Sequence, residues 1–210
     1  MDKSKIAVDI FNKHASLYQN KFMDVSLYHA TFDFFCDSIK KQNPEVFELA
    51  CGPGNITKYL LSKRPDLKLL GTDLAPNMIE LAKQNNPSAT FEVMDCRKIN
   101  ELNKKFDAIM CGFCLPYLNK EEVSKLFSDA FQLLNSKGVI YISTMEDDYS
   151  KSGLRKGSQG DEIFMHYYLE KDLSEPLIKN GFQINHISRV KSEMTDGSVV
   201  VDLILIAEKN

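Results

Sequence analysis

The sequence predicts an α/β fold, a doubly wound sheet that is mostly parallel and ends in an antiparallel hairpin. Three observations lead to this prediction. Short apolar runs alternate with helix-like segments between residues 46 and 145. A glycine-rich turn directly follows the first apolar run, and two strand-like runs end the chain. Strands separated by helices pair in parallel through right-handed crossovers, which places helices on both faces of the sheet.

The first forty residues are predicted to be helical. In their second half, apolar side chains recur at three- and four-residue intervals from Val25 to Ile39. This spacing forms one apolar stripe, as on the buried face of a helix. We expect this helix to end at Asn43-Pro44, because the α conformation is disfavoured for a residue that precedes proline.

The middle of the chain alternates between strands and helices. The predicted strands are 46–50, 68–73, 90–95, 106–112 and 139–145, and the predicted helices are 55–64, 76–85 and 120–134. Asn135 to Gly138 lie between the helix at 120–134 and the strand at 139–145, and they are predicted to end that helix. After residue 145 the alternation stops, and a helix at 171–180 precedes strands at 182–190 and 199–208. Asp196-Gly197 between these strands is a strong turn signal, so they are predicted to form a hairpin.

Composition restricts the possible partners. A net charge of -3 and a pI near 5.8 give no electrostatic reason to expect a nucleic-acid or membrane partner. No window has the apolar length of a membrane span, and the first residues lack the apolar stretch of a signal peptide. The five cysteines show no disulfide framework, so we expect a cytoplasmic protein with reduced thiols. We expect a single domain over residues 1–210, as a monomer or a homodimer.

A glycine turn lies between the first predicted strand and the helix that follows it, in FELACGPGNITKYL, residues 47–60. Ligands of doubly wound sheets bind at the carboxyl ends of strands, where glycine lets the backbone approach closely. The next strand ends in Asp73, nineteen residues after Gly54. A carboxylate at that place accepts hydrogen bonds from ribose hydroxyls. Taken singly, the glycines could serve only the turn and Asp73 only cap a helix, but together they predict an adenosine-containing cofactor.

Five segments resemble motifs of the class I S-adenosylmethionine-dependent methyltransferases. ELACGPGN resembles the first motif, GTDLAPNMIELA the second, FEVMDC the third, FDAIMCGFCLPYL the fourth, and LLNSKGVIYIS the fifth-strand segment. The resemblance runs from about residue 45 to the C-terminus, and Ala50 departs from the glycine that the family commonly has. It implies a seven-stranded Rossmann-like sheet with a helical N-terminal cap at residues 1–42. It also implies methyl transfer from S-adenosylmethionine to an oxygen, nitrogen or sulfur atom of a small molecule.

The resemblance implies a set of cofactor-binding residues. Glu48 and the glycine turn would hold the methionine portion, Asp73 the ribose, and Asp95 with its neighbours the adenine. Tyr18 either covers the cofactor or only packs between helices. The complete set is Tyr18, Glu48, Ala50, Cys51, Gly52, Gly54, Asp73, Leu74, Met78, Asp95, Cys96 and Cys111.

The tetrapeptide CGFC, residues 111–114, has the cysteine spacing of redox dithiols and zinc sites. It lies at the end of a predicted strand, without a helix N-terminus that would lower a thiol pKa. No second cysteine or histidine pair completes a zinc ligand set. Strand side chains alternate faces, so Cys111 and Cys114 would point apart if the strand continued. We expect them to line a pocket as small apolar residues, with no metal site.

The acceptor side is less defined, and the catalytic residues stay unknown apart from one candidate. The candidate substrate-binding residues are Tyr117, His166 and Tyr167, beside Tyr168, and His166 is the candidate general base. His14 and His29 are lesser candidates. The polar segment 146–162 is predicted to be a lid-like insertion or an exposed loop.

Two other functions stay open. One is an NAD(P)-dependent oxidoreductase, although the third glycine of its fingerprint would fall at Thr57 and the final hairpin would be unexplained. The other is a non-catalytic cofactor-binding protein.

Overall fold

The computed structural model describes residues 3–157, 159–193 and 197–210. Its helices are α1 (Lys3–Lys13), α2 (Ala15–Phe22), α3 (His29–Ser38), α4 (Asn55–Lys63), α5 (Pro76–Asn85), α6 (Lys120–Leu133) and α7 (Glu170–Lys179). Its strands are β1 (Glu45–Leu49), β2 (Lys68–Asp73), β3 (Thr90–Val93), β4 (Phe106–Gly112), β5 (Leu134–Met145), β6 (Gly153–Lys156), β7 (Glu162–Met165), β8 (Phe182–Glu193) and β9 (Val199–Lys209). No helix in these ranges combines the length and the apolar composition of a bilayer-crossing segment.

The central sheet confirms the predicted fold class. Its seven strands lie in the order β3-β2-β1-β4-β5-β9-β8. The pairs β1–β2, β1–β4, β2–β3 and β4–β5 are parallel, whereas β9 is antiparallel to both β5 and β8. The predicted terminal hairpin is therefore present. Of its predicted turn, Gly197 has a left-handed φ of 80°, and Asp196 lies outside the described residues.

Both faces of the sheet are covered at its centre, which explains why nearly every residue of β1 and β4 is buried. On one face, Phe47 and Leu49 of β1 belong to a buried cluster that includes Phe127 of α6. On the other face, Val46 joins a cluster that includes Phe32 of α3. The carboxyl ends of β1, β2, β3 and β4 come together at one edge, because these strands are parallel.

The N-terminal cap differs from the continuous helix predicted to end at Asn43-Pro44. A 3-10 turn at Ser26–Tyr28 leads into α3, which ends at Ser38. The Arg64 guanidinium donates hydrogen bonds to the carbonyl oxygens of Cys36, Ile39 and Lys41, at 3.2, 3.1 and 3.0 Å. Cys36 lies in the last turn of α3 and Ile39 and Lys41 follow the helix, so these bonds hold the chain in the non-helical path that begins at Ile39. A tertiary contact therefore ends the helix before the proline does.

Two further segments differ from their predictions. β5 begins at Leu134, so residues 135–138, predicted to close the preceding helix, are part of this strand. The predicted insertion at 146–162 contains a 3-10 turn at Tyr149–Lys151 and strand β6, which pairs antiparallel with β7. The sequence signal for this hairpin is weak, because its strands are four residues long and β6 is mostly exposed. That the insertion moves as a lid stays a prediction.

Candidate functional site

A pocket opens at the carboxyl edge of the central sheet, beneath α1 and α2. Eight of the predicted cofactor residues line it, namely Tyr18, Ala50, Gly52, Asp73, Leu74, Met78, Asp95 and Cys96. Tyr117, predicted for the acceptor side, lines it as well. Glu48, Cys51, Gly54 and Cys111 are not in the lining. The structure therefore brings most of the predicted residues to one cavity.

The glycine turn between β1 and α4 is built from left-handed backbone. Ala50, Gly52 and Gly54 have φ values of 50°, 53° and 76°. A Cβ on Gly54 would lie 2.3 Å from the Asn86 Nδ2 atom, so only glycine fits there without displacing that side chain. At Ala50, where the family commonly has glycine, the left-handed φ is unfavourable for alanine, whereas glycine adopts it readily.

Asp73 at the end of β2 joins this turn to α5. Its Oδ2 accepts a hydrogen bond from the Gly52 backbone N–H at 3.0 Å, and its Oδ1 accepts one from the Ala75 N–H at 2.8 Å. Burial raises the pKa of Asp73, although these backbone N–H groups oppose the increase. Asp73 thus accepts backbone hydrogen bonds at the start of α5, as in the alternative in which it caps that helix. It also lines the pocket. Each carboxylate oxygen has a second lone pair, so Asp73 keeps the capacity to accept bonds from a ligand.

Glu48 lies behind the turn and is 1% exposed. The Thr57 hydroxyl donates a hydrogen bond to its Oε2, whereas its Oε1 has no hydrogen-bond partner. Burial, together with the nearby Asp73 carboxylate, raises the pKa of Glu48 to about 8, against the lowering effect of the Thr57 bond. This carboxyl group is therefore largely protonated at neutral pH.

Asp95 after β3 pairs with Arg97, a residue that sequence reasoning missed. The Arg97 Nη2 and Nε atoms lie 2.7 and 3.0 Å from the Asp95 Oδ2. Burial alone would raise the pKa of Asp95, but hydrogen bonds and charge from Arg97 lower it. Arg97 also lines the pocket. The available signal was a cation two residues after the acid in the third motif.

The cysteines of CGFC do not point apart as predicted. The strand ends at Gly112, and Phe113 has a left-handed φ of 55°, so the chain turns back. Cys111 and Cys114 consequently lie in one apolar cluster, against which Cys96 packs. Hydrogen bonding to the Cys111 thiol, together with burial, holds the pKa of Cys114 well above its usual range. The predicted divergence depended on the strand continuing to Cys114, and β4 ends at Gly112.

None of the five cysteines is in a disulfide bond. Within the described ranges, no group of three or more histidine, cysteine and acidic side chains is placed to hold a metal ion. Burial and contact between thiols keep Cys114 and Cys96 in the neutral form, because both pKa values are well above the usual range. Such groups behave as small apolar side chains.

The roof of the pocket comes from α1 and α2. The Phe11 ring makes edge contacts with Tyr18 and Tyr117, with ring centroids 5.8 and 5.2 Å apart. Burial, and less strongly Asp73, raises the pKa of Tyr18 to about 12. Burial also raises the pKa of Tyr117. Both phenols are therefore neutral hydrogen-bond donors.

Of the two CGFC cysteines predicted to line a pocket, Cys114 does so and Cys111 does not. Several other lining residues were not predicted, namely Ala7, Val8, Phe11, Met94, Arg97, Phe113 and Leu118. Ala7, Val8 and Phe11 belong to α1, and the others lie within or beside the third and fourth resembling segments, which did not single them out. For α1 the available signal was its repeated apolar residues, and that signal does not say what the helix covers.

The other acceptor candidates lie outside the pocket lining. The His166 ring packs on Tyr149 and Phe164, at 5.6 and 4.9 Å. The Tyr167 hydroxyl accepts a hydrogen bond from Arg155 Nε at 3.1 Å. The Tyr168 hydroxyl donates to the Leu118 carbonyl. His166 as the general base thus stays a prediction that the arrangement of the pocket does not favour.

Several contacts connect the cap to the rest of the chain, and two of them join residues far apart in sequence. His14 Nε2 lies 2.7 Å from Asp161 Oδ2, which joins the cap to the turn between β6 and β7. The Tyr28 hydroxyl donates to the buried Asp202 of β9 at 2.6 Å. His29, the remaining candidate, stacks on Tyr59 and is likewise outside the pocket lining.

Comparisons with known proteins agree with this geometry. Residues 46–138 match a family model described as a methyltransferase domain. Putative methyltransferase 235L of Invertebrate iridescent virus 6 is 32% identical over 127 residues, 57% of this chain and 47% of that protein. Malonyl-[acyl-carrier protein] O-methyltransferase of Acetivibrio thermocellus is 31% identical over 110 residues, 51% of this chain and 38% of that protein. The chain thus spans less than half the length of these two relatives.

A solved structure shows the same fold. It is that of Burkholderia thailandensis 1,6-didemethyltoxoflavin-N1-methyltransferase with bound 1,6-didemethyltoxoflavin and S-adenosylhomocysteine, with a TM-score of 0.73 and 18% identity. The match covers 98% of this chain and 88% of that chain. The family model and the relatives support a class I S-adenosylmethionine-dependent methyltransferase, a family whose cofactor is S-adenosylmethionine, and the solved structure shares the fold.

Proposed function

We propose that this chain transfers a methyl group from S-adenosylmethionine to an oxygen, nitrogen or sulfur atom of a small molecule. One observation supports the proposal most strongly. Asp73 lines the pocket and accepts backbone hydrogen bonds from Gly52 in the glycine turn and from Ala75 at the start of α5. The relatives that match the chain are named as methyltransferases. The aromatic roof encloses the pocket from above, which suits a small acceptor better than a folded macromolecule.

The residues of the pocket fit the cofactor chemically. Ala50 and Gly52 present backbone, Asp73 presents carboxylate lone pairs for ribose hydroxyls, and Leu74 and Met78 present apolar surface for a base. The open space above Gly52 supports the fit, because a Cβ there would meet Tyr18 Cε1 at 3.7 Å and would narrow the pocket. When bound, S-adenosylmethionine supplies an electrophilic methyl group that is displaced in line by the acceptor.

The contribution of the chain is orientation and exclusion of water. Phe11, Val8 and Tyr117 form an apolar and aromatic enclosure above the sheet edge. The two phenols, Tyr18 and Tyr117, are neutral at physiological pH because burial raises their pKa values. They orient bound groups as hydrogen-bond donors and do not compete with the acceptor as nucleophiles.

No described group of the lining is suited to removing a proton at neutral pH. Asp73 accepts bonds from two backbone N–H groups, and Asp95 is held by Arg97. The lining thiols have pKa values well above the usual range. A general base is needed only when the nucleophile carries a proton that must leave. The pocket therefore favours an acceptor atom that is already nucleophilic, such as a carboxylate oxygen or an unprotonated nitrogen.

A screen with S-adenosylmethionine labelled in its methyl group tests the proposal. The panel contains small carboxylates, amines, phenols and thiols, with bulk transfer RNA and a protein mixture beside them, and Asp73→Ala as the inactive control. We expect label in a small carboxylate or amine and none in the macromolecules. Label in transfer RNA or protein with none in any small molecule would refute the proposed substrate class.

The two alternative functions are separated by ligand binding. An NAD(P)-dependent oxidoreductase binds NADH in calorimetry and does not bind S-adenosylhomocysteine. A non-catalytic cofactor-binding protein binds S-adenosylhomocysteine but labels nothing in the acceptor panel. The proposed methyltransferase binds S-adenosylhomocysteine and labels an acceptor.

A further inference from the structure

Asp73 and Asp95 are both carboxylates of the pocket lining, but they differ in how many hydrogen bonds they already accept. Each oxygen of Asp73 accepts one backbone N–H group, that of Gly52 at 3.0 Å or that of Ala75 at 2.8 Å. A carboxylate has about four lone-pair sites in all. Asp73 therefore has sites left for the hydroxyl groups of a ligand.

Asp95 accepts its hydrogen bonds from one residue, Arg97. The Arg97 backbone N lies 2.9 Å from the Asp95 Oδ1, and the Arg97 Nε lies 3.0 Å from both carboxylate oxygens. The Arg97 Nη2 lies 2.7 Å from Oδ2. Nε and Nη2 thus bind the carboxylate side-on, in the bidentate geometry of strong guanidinium–carboxylate pairs. Together with the backbone N–H, they take up the lone-pair sites of Asp95.

Further contacts hold Arg97 in this position. Its Nη1 lies 3.4 Å from the Glu122 Oε1, and the Lys125 Nζ donates to its backbone carbonyl at 3.2 Å, so both partners come from α6. The Asp95 and Arg97 side chains are 15% and 27% exposed. A ligand N–H group could take a site on Asp95 only by displacing a bond from Arg97. This would separate two partly buried opposite charges, which attract each other more strongly than charges in bulk water.

The other lining residues on this side of the pocket are apolar. Met94 directly precedes Asp95, and Leu74 and Met78 follow the end of β2. Their side chains offer contact area for a flat ring rather than strong hydrogen-bonding groups. Such a surface discriminates weakly between ligands that differ in one polar group, whereas a site that hydrogen-bonds the group discriminates strongly. The occupancy of the Asp95 lone pairs therefore decides how selectively the base is recognised.

We propose that Asp95 is the counter-ion that holds Arg97, and that the cofactor's base binds by apolar contact, without a hydrogen bond from its 6-amino group to Asp95. This inference rests on the proposed function, because it concerns the adenosine part of that cofactor. It differs from the role that the resemblance implies for Asp95, which is contact with adenine. The consequence is a relaxed specificity, in which the chain accepts cofactors that lack the 6-amino group. Arg97 sets this tolerance, because it occupies the carboxylate.

Calorimetry with two ligands tests the inference. One is S-adenosylhomocysteine, and the other is its 6-deamino analogue, in which purine replaces adenine and the ring nitrogens and the homocysteine are kept. For the wild type, the two dissociation constants should agree within about threefold, because the pocket makes no bond to the amino group. A carboxylate that accepted from this group would favour S-adenosylhomocysteine by about tenfold or more.

Arg97→Met tests the role of the guanidinium. Methionine keeps an apolar side chain in the wall but donates no hydrogen bond, so Asp95 regains lone pairs that the 6-amino group can use. The variant should therefore favour S-adenosylhomocysteine over the analogue by about tenfold or more. Arg189→Met is the matched control, because Arg189 pairs with Glu146 at 2.6 Å and lies outside the pocket lining. Its ratio of affinities should equal that of the wild type.

The outcomes distinguish this inference from the proposed function. If the wild type favours S-adenosylhomocysteine by tenfold or more, the inference is wrong and the proposed function stands. If Arg97→Met has the same ratio as the wild type, Arg97 does not set the specificity, and the inference is again wrong. If neither ligand binds, the proposed function and the inference both fall. Should Arg97→Met fail to fold, the wild-type ratio still decides, because no variant enters that measurement.

Discussion

The two ends of the pocket are built in different ways. At the turn end, Ala50, Gly52 and Asp73 are held by left-handed backbone and by hydrogen bonds within two neighbouring strands. At the roof, Phe11 meets Tyr117 across the molecule, and His14 meets Asp161, 147 residues later in the chain. Short-range backbone geometry makes the turn end, whereas long-range side-chain packing makes the roof.

The turn end and the roof also differ in the chemical groups that they present to the pocket. The buried Glu48 and the half-buried Asp73 are at the turn end, and the neutral aromatic groups Phe11, Tyr18 and Tyr117 are at the roof. We therefore expect substitutions at the turn end to change charge-dependent properties strongly. Substitutions at the roof should have smaller effects that depend on contact area.

The largest expected effect is on the pH dependence of stability through Glu48. Its pKa rises from an ordinary value of 4.5 to about 8 on folding. Between these values the folded state holds a proton that the unfolded state has lost. The free energy of unfolding therefore falls as pH rises through this window, by at most about 1.4 kcal/mol per pH unit.

Chemical denaturation at pH 5, 6.5 and 8 measures this effect. Glu48→Gln mimics the neutral acid, so it should flatten the slope and be more stable than wild type at pH 8. Equal slopes in the two proteins would show that Glu48 does not titrate in this window. The raised pKa of Glu48 at the turn end would then be contradicted.

The next effect concerns cofactor affinity. Asp73→Ala removes the carboxylate that faces the pocket and also leaves the Gly52 and Ala75 N–H groups without this acceptor. Affinity for S-adenosylhomocysteine should fall by roughly 2–4 kcal/mol, as expected for the loss of charge-assisted hydrogen bonds. Calorimetry on a variant whose circular dichroism is native measures it, and unchanged affinity would remove Asp73 from the binding site.

A smaller effect is expected at the roof. Phe11→Ala removes two aromatic edge contacts, to Tyr18 and Tyr117. We expect a loss of about 1–2 kcal/mol in S-adenosylhomocysteine affinity, since two aromatic pairs are lost and each contributes about 0.5–1.5 kcal/mol. Phe34→Ala is the matched control, because Phe34 is 37% exposed and outside the pocket lining. A loss larger than that of Asp73→Ala would reverse the ranking of the two ends.

The smallest effect is expected where the hairpin meets the cap. Asp161→Asn weakens the contact with His14, whose side chain is 21% exposed, while that of Asp161 is 27% exposed. Exposed ion pairs contribute little, so the affinity for S-adenosylhomocysteine should not change. Hydrogen exchange in β6 and β7 should become faster, and Asp148→Asn, which loses only local bonds to Ser150, should leave it unchanged. Unaltered exchange in Asp161→Asn would mean that the hairpin is not held through this contact.

The same hydrogen-exchange measurement addresses the lid. If the insertion closes over the pocket, its amides should gain protection when S-adenosylhomocysteine and the acceptor are both bound. Equal protection in the free and the doubly occupied protein would contradict the prediction that the insertion closes over the pocket.

The sequence predicted the residues at the turn end of the pocket better than those at the roof. Gly52, Gly54 and Asp73 were predictable, because the rules for left-handed turns and strand ends act over a few residues. Phe11 was not, because its partner Tyr117 is defined only once the chain has folded. The same holds for Arg64, whose bonds to three carbonyl oxygens end α3 before Asn43-Pro44.

Two predictions meet local structural features that the sequence did not indicate. Phe113 has a left-handed φ, so the chain turns after β4 and Cys114 lies in the same cluster as Cys111. A left-handed conformation is rare for a bulky residue, so the sequence did not indicate this turn. His166 was a candidate base because it follows the insertion. Its backbone N–H instead donates to the Pro116 carbonyl at 2.8 Å, and its ring packs against Tyr149 and Phe164.

The central claim is that the turn end of this pocket binds S-adenosylmethionine. Calorimetric titration of the wild-type protein with S-adenosylhomocysteine, and separately with NADH, tests it most directly. We predict one S-adenosylhomocysteine bound per chain and no heat of binding from NADH. Binding of NADH with none of S-adenosylhomocysteine would contradict the claim.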